Sequence, residues 1–142
     1  MTFKHELVQL KELNTKSSDT GRFYETPEGQ SYPSVTTITG LLSKASILAW
    51  RQRVGDSKAD AITKAATTRG NKVHKMAEMY LRNEMASQIN LFEDPMPHIE
   101  NMFFQLTELL DNSIGIINAI EAPLYSDQLK VGGRVDVIAE WD

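Results

Sequence analysis

The chain of 142 residues carries 19 acidic and 15 basic side chains, a formal net charge of −4, 41% hydrophobic residues and no cysteine. Length and apolar content suit one globular domain with a real core; the missing thiols exclude disulfides and thiolate metal sites, and a reducing intracellular location is the natural expectation. No run reaches the apolar length of a membrane span, and the opening MTFKHELVQLKELN lacks a signal peptide's apolar stretch, so neither membrane insertion nor export is expected.

In chain order, Leu7, Leu10 and Leu13 fall roughly on one side of a short helix over 4–13, which the polar cluster NTKSSDTG ends. RFYET and QSYP read as two short extended arms joined by a turn through Pro27 and Gly29. Ser34 is placed to cap VTTITGLLSK, a helix weakened by its β-branched run. ASILAWRQRVG follows as a second helical piece, stopped by Gly55.

The strongest periodicity comes next. Ala61, Ile62, Ala65, Ala66, Val73, Met76, Ala77, Tyr80 and Leu81 recur at helical spacing from Lys58 to Asn83, with Gly70 an interior weak point or a site of close approach. NLFEDPMPH reads as a loop and IENMFFQLTELLDNS as another amphipathic helix. IINAIEAPLYS and KVGGRVDVIAEW are extended runs joined through DQL as a hairpin. Helices first and a hairpin last predict an α/β (α+β) fold, the long helix packed on the hairpin.

Net charge alone argues against a nucleic-acid partner, but its distribution does not. Residues 44–75 hold eight basic side chains against two acidic ones, whereas residues 84–142 hold two basic against eleven acidic. A basic middle beside an acidic end suits a protein that grips phosphates in one place and gathers cations in another. Two solvated faces would give the same counts.

Within the basic stretch, RGNKVHKMAE puts His74 and Glu78 one helical turn apart. Such a pair is often a surface contact contributing about 0.2–0.5 kcal/mol. Asp136 is more pointed, because it sits between Val135 and Val137 in a run that otherwise reads as buried. A carboxylate there is costly unless it is paired or holds a cation. Alternation puts Glu140 on the same face as Asp136, and Gly132 and Gly133 thin the strand just before. Carboxylates suit Mg²⁺, and an added imidazole suits Mn²⁺; an exposed edge strand with its acids in water is the plainer reading. Tyr24, Tyr32 and Trp50 are candidates to stack on unpaired bases, although aromatic residues near turns and helices are more often core.

YETPEGQSYPSVTTIT, LAWRQRVG, RGNKVHKMAEMYL and IEAPLYSDQLKVGGRVDVIAEWD, in that order, resemble the phage and mitochondrial genome-maintenance branch of the PD-(D/E)XK nuclease superfamily, RecB-like metal-dependent DNases. The combination is more specific than any one piece and runs from about residue 23 onward. The resemblance implies that His74 is a helix-borne metal ligand, Asp136 the first acidic ligand, and Glu78 and Glu121 accessory acids, with Mg²⁺ or Mn²⁺ as cofactor. Arg69, Lys72 and Lys75 would face DNA phosphates; charge adds Arg51 and Arg53.

The chain departs from the family where a strand bearing D/E-x-K should follow. No acidic residue after Asp136 has a lysine two positions on. Three expectations follow: a fragment of a longer nuclease, a short form completed by another chain, or a variant recruiting Lys130, Lys72 or Lys75. The reading is therefore one incomplete nuclease-like domain over 1–142, with 1–57 facing DNA and 58–142 a partial core. A hairpin with an open edge further predicts pairing with a second copy or a complementing chain. The expected activity is hydrolysis of DNA phosphodiesters, by exonuclease or homing-type endonuclease action, in a bacterial host's cytoplasm if the chain is phage-encoded. A DNA-binding or assembly module that no longer cuts is the first alternative; a small interaction protein without a nucleic-acid role is the second.

Overall fold

The computed structural model describes residues 2–84 and 97–142, and the loop expected at NLFEDPMPH lies, up to residue 96, outside them. The described residues form a mixed α/β fold in the order β1 (Asn14–Ser18), β2 (Gly21–Glu25), β3 (Ser31–Pro33), α1 (Val35–Val54), α2 (Asp56–Leu81), α3 (Pro97–Ser113), β4 (Ile114–Ser126) and β5 (Val131–Trp141). Strands β1, β2 and β3 make one antiparallel sheet in that order, with Tyr24 opposite both Thr15 and Tyr32. Strands β4 and β5 form a separate antiparallel pair.

Two compact units share the chain. One comprises residues 1–8, 60–120 and 136–142, the other residues 9–59 and 121–135. Both units are discontinuous in sequence, and β4 and β5 each contribute residues to both.

In the unit of residues 9–59 and 121–135, the two helical pieces expected between Ser34 and Gly55 are the single helix α1, because no breaker separates Lys44 from Ala45. Ser34 caps it as expected, its hydroxyl accepting the Thr37 N–H at 3.0 Å. Gly55 ends it at φ +86, where a side chain would be strained, and donates its N–H to the Arg51 carbonyl at 2.8 Å. The helix has no buried residue; Leu41 and Leu42 stand in solvent.

The helix expected over 4–13 does not form. His5 makes a parallel bridge with Ile117, Lys4 O accepts from Ile117 N, and Glu6 and Val8 donate to the carbonyls of Ile117 and Asn118, each at 2.9 Å. Burial of Phe3 decides the matter. The ring belongs to the core with Leu81, Leu110 and Ile117, and its backbone is held at both ends by the Asn83 amide, at 2.9 and 3.0 Å. Leu7 and Leu10 are exposed and Leu13 alone of the three is buried, so the leucines do not share one covered face. The polar cluster expected to stop that helix is instead β1, five exposed residues held by pairing with β2. Residues 4–8 also occupy an edge of β4, and Ser34 bridges Gly132 on β5, so the hairpin is less open than two strands alone.

The unit of residues 1–8, 60–120 and 136–142 is built on the second half of α2. Met76, Ile99 and Phe103 cluster with Val73 and Tyr80, while Tyr80 and Leu81 reach the cluster of Phe3, Leu110 and Ile117, against which Ile120, Val137 and Ala139 pack. The long helix thus packs on the hairpin, as the periodicity predicts. Tyr80 joins the clusters, edge-on to Phe3 and Phe103 at ring distances of 5.4 and 5.8 Å. Its hydroxyl donates to Asp111 Oδ1 at 2.7 Å. Asn83, at φ +62, closes α2 with its N–H on Tyr80 O and the Glu84 N–H on Met79 O. No helix among the described residues is long and apolar enough to cross a membrane.

Candidate metal centre

Packing on both elements determines where His74 and Asp136 stand. Val73 and Met76 turn one side of α2 inward, and His74, one position on from Val73, is left exposed on the adjoining side. On β5, Val137 and Ala139 pack against the core, and alternation frees the preceding Asp136 from it. The two side chains, 62 positions apart, meet with His74 Nδ1 3.9 Å from Asp136 Oδ1. They are 43% and 76% exposed. A contact so exposed contributes little to stability.

Glu121 stands on β4 at φ +55, a left-handed conformation rare for a residue with a side chain. Its carbonyl accepts from Arg134 Nη1 at 2.7 Å, and Arg134 Nη2 also contacts Glu12. Two donors about 2.1 Å from a shared octahedral ion lie about 3.0 Å apart when adjacent and about 4.2 Å apart when opposite, so the 3.9 Å between His74 Nδ1 and Asp136 Oδ1 lies between these two spacings. An imidazole nitrogen and a carboxylate oxygen are donor types suited to Mn²⁺.

Glu78 is engaged elsewhere. It accepts from Lys75 Nζ and from Arg82 Nε, each at 3.1 Å. The Lys75 hydrogen bond, helped by that from Arg82 and opposed by burial, holds its carboxyl below the usual range. Glu140, which alternation puts on the Asp136 face of β5, lies against Gly115, with its Oε2 3.4 Å from the Ile116 nitrogen.

The cations are distributed over several jobs. Arg51 Nε pairs with Asp56 at 3.1 Å across the α1–α2 junction, and Lys75 pairs with Glu78. Lys72 is half-buried on α2, while Arg53 and Arg69 are exposed. Lys130 stands 5.7 Å over the Tyr32 ring. Tyr24 and Tyr32 are 4% and 5% exposed, which corrects their candidacy as stacking platforms: Tyr24 packs on Gly132, and the Tyr32 hydroxyl donates to Asp127 at 2.7 Å. Trp50 is half-buried on α1. Sequence reading had no signal for the left-handed Glu121 or for the Arg134 contacts that hold it, since both depend on the partner strand.

Comparison with protein-family models, with curated proteins and with solved structures gives no match for this chain.

Proposed function

We propose that the chain is a metal-dependent deoxyribonuclease of the PD-(D/E)XK type, with His74 and Asp136 holding Mg²⁺ or Mn²⁺. The approach of His74 Nδ1 to 3.9 Å from Asp136 Oδ1 carries the reading. It joins on one face the two residues that the motif resemblance assigns to a single ion, at a spacing one cation can span. When bound, the cation supplies Lewis-acid stabilisation of a phosphodiester undergoing in-line attack by water. Asp136 would offset part of its charge, and the His74 imidazole would supply a second donor from the helix. Arg69, on the same helix, is placed to hold the DNA backbone, giving binding that weakens steeply with salt.

A second reading has its own support. Glu140, the acid that follows Asp136 on β5, has no lysine two positions on, and its Oε2 lies 3.4 Å from the Ile116 nitrogen. A chain that binds DNA without cutting it would look the same at these positions.

Labelled single- and double-stranded DNA incubated with Mg²⁺ or Mn²⁺ separates the two. Cleavage by the native chain that is lost in both Asp136→Asn and His74→Ala is expected. Cleavage that persists in both variants overturns the metal-centre assignment; binding without cleavage by the native chain favours the second reading.

A further inference from the structure

One side of α2 changes character along its length. Val73, Met76 and Tyr80 pack on Ile99 and Phe103. One to three turns earlier the corresponding positions are Ala61, Lys64, Ala65, Thr68 and Arg69, spaced i, i+3, i+4, i+7 and i+8. Alanines there are too short to fill the space the longer residues occupy farther on. The outcome is an open cleft of about 450 Å³, lined by these five residues with His98 and Ile99 from the start of α3. Its walls are the methyl groups of Ala61 and Ala65 and the Ile99 side chain; its polar groups are Lys64, Arg69, His98 and the Thr68 hydroxyl. Among the described residues no carboxylate lines it.

We propose that this cleft takes one nucleotide of a DNA single strand, its base in the alanine-lined notch and its phosphate on Lys64 and Arg69. An apolar slot next to fixed cations matches a ligand that is flat and apolar at one end and anionic at the other. A phosphate alone would use the cations and leave the slot empty; an apolar ligand alone would leave two cations facing it unpaired. This assignment rests on the nucleic-acid reading above, but it does not depend on cleavage.

The test is fluorescence anisotropy in EDTA, so that no strand is cut, with an oligothymidine and an abasic oligomer of equal length over a salt series. The native chain is expected to bind the oligothymidine several-fold more tightly. Lys64→Ala with Arg69→Ala should weaken both ligands and reduce the salt slope by about 0.7, the value for one phosphate contact on a single strand. Ala65→Leu, an exposed position that tolerates the larger side chain without unfolding, should abolish the preference for bases and keep the slope. Equal binding of the two oligomers by the native chain overturns the base slot. An unchanged slope in the double variant, or no binding at all, overturns the site, and either result leaves the Asp136 cleavage assay to judge the nuclease reading separately.

Discussion

Gly132 and Gly133 are adjacent on β5, yet alanine at the two positions should have opposite effects. Neither glycine has a positive φ, so alanine's backbone preference is not at issue and only the added Cβ counts. At Gly132 that carbon would lie 2.7 Å from Tyr24 Cβ and 2.9 Å from Tyr24 Cγ. Those atoms sit at the root of a side chain that is 4% exposed, so no rotamer change moves them away and the backbone of β2 or β5 must shift. Overpacking of this kind costs about 1–3 kcal/mol, or a Tm lower by about 3–10 °C at this chain length. At Gly133 the nearest atom is Val35 Cγ2 at 3.7 Å, an ordinary contact. The new methyl enters a cleft of about 530 Å³ that both glycines line. With no clash to offset it, the loss of unfolded-state freedom should stabilise Gly133→Ala by about 0.4–1 kcal/mol. Thermal melts followed by circular dichroism, with urea midpoints at unchanged slope as a second measure, report both. Equal losses in the two variants, or a Gly132→Ala melt that matches the native one, would refute the packing argument.

Truncation of Ile117, which is fully buried, should cost about 2–5 kcal/mol in Ile117→Ala, read as a lower urea midpoint. At Glu78 the folded carboxyl ionises below its ordinary 4.5 because Lys75 and Arg82 bond it. Its contribution is therefore complete above that pH and lost as the pH falls through the lowered value. Glu78→Gln should flatten the acid limb of a pH–Tm profile; an unchanged limb sinks the assignment. On the alkaline side, burial and then Asp111 push the Tyr80 phenol up to about 12, and the Asp127 hydrogen bond with burial does the same at Tyr32. Raised folded values mean stabilisation present below pH 10.0 and lost as the pH climbs toward about 12. Tyrosinate absorbance of the folded chain should show Tyr32 and Tyr80 titrating last, with Tyr125 also above its ordinary value, and Tyr80→Phe one late phenol fewer; a single step for all four tyrosines near 10 contradicts this.

Where local rules decide structure, the residues announce it. The Ser34 cap, the Gly55 stop and the stripe from Val73 to Leu81 each depend on neighbours within a few positions, and each is found where those rules place it. Leu7, Leu10 and Leu13 mislead for the opposite reason. Their helical spacing is real, but Phe3 enters a core made by Leu81, Leu110 and Ile117, and once that ring is anchored the following residues gain more by hydrogen bonding along β4. Strand β1 gives no signal at all, because NTKSS is polar on both faces and exists only through its pairing with β2. Distant partners decide these two cases, and no window on the sequence contains them.

The same distinction separates the parts of the candidate site. His74 and Glu78 are one turn apart on α2, and local spacing alone would join them. The fold parts them, because Lys75 at i−3 and Arg82 at i+4 claim Glu78. Asp136 was conspicuous as a carboxylate in an apolar run, and the expected cost of burial does not arise, since the side chain is 76% exposed. That changes what its meeting with His74 means. A buried pair would be explained by the core's need to neutralise a charge; an exposed one has water available to both groups and gains little from contact. Glu121 reinforces the point from the backbone. Holding a non-glycine residue at φ +55 within a strand costs of order 1–3 kcal/mol, and the Arg134 bond to its carbonyl is the visible support for that conformation. Stability alone therefore accounts neither for the exposed His74–Asp136 contact nor for the strain at Glu121.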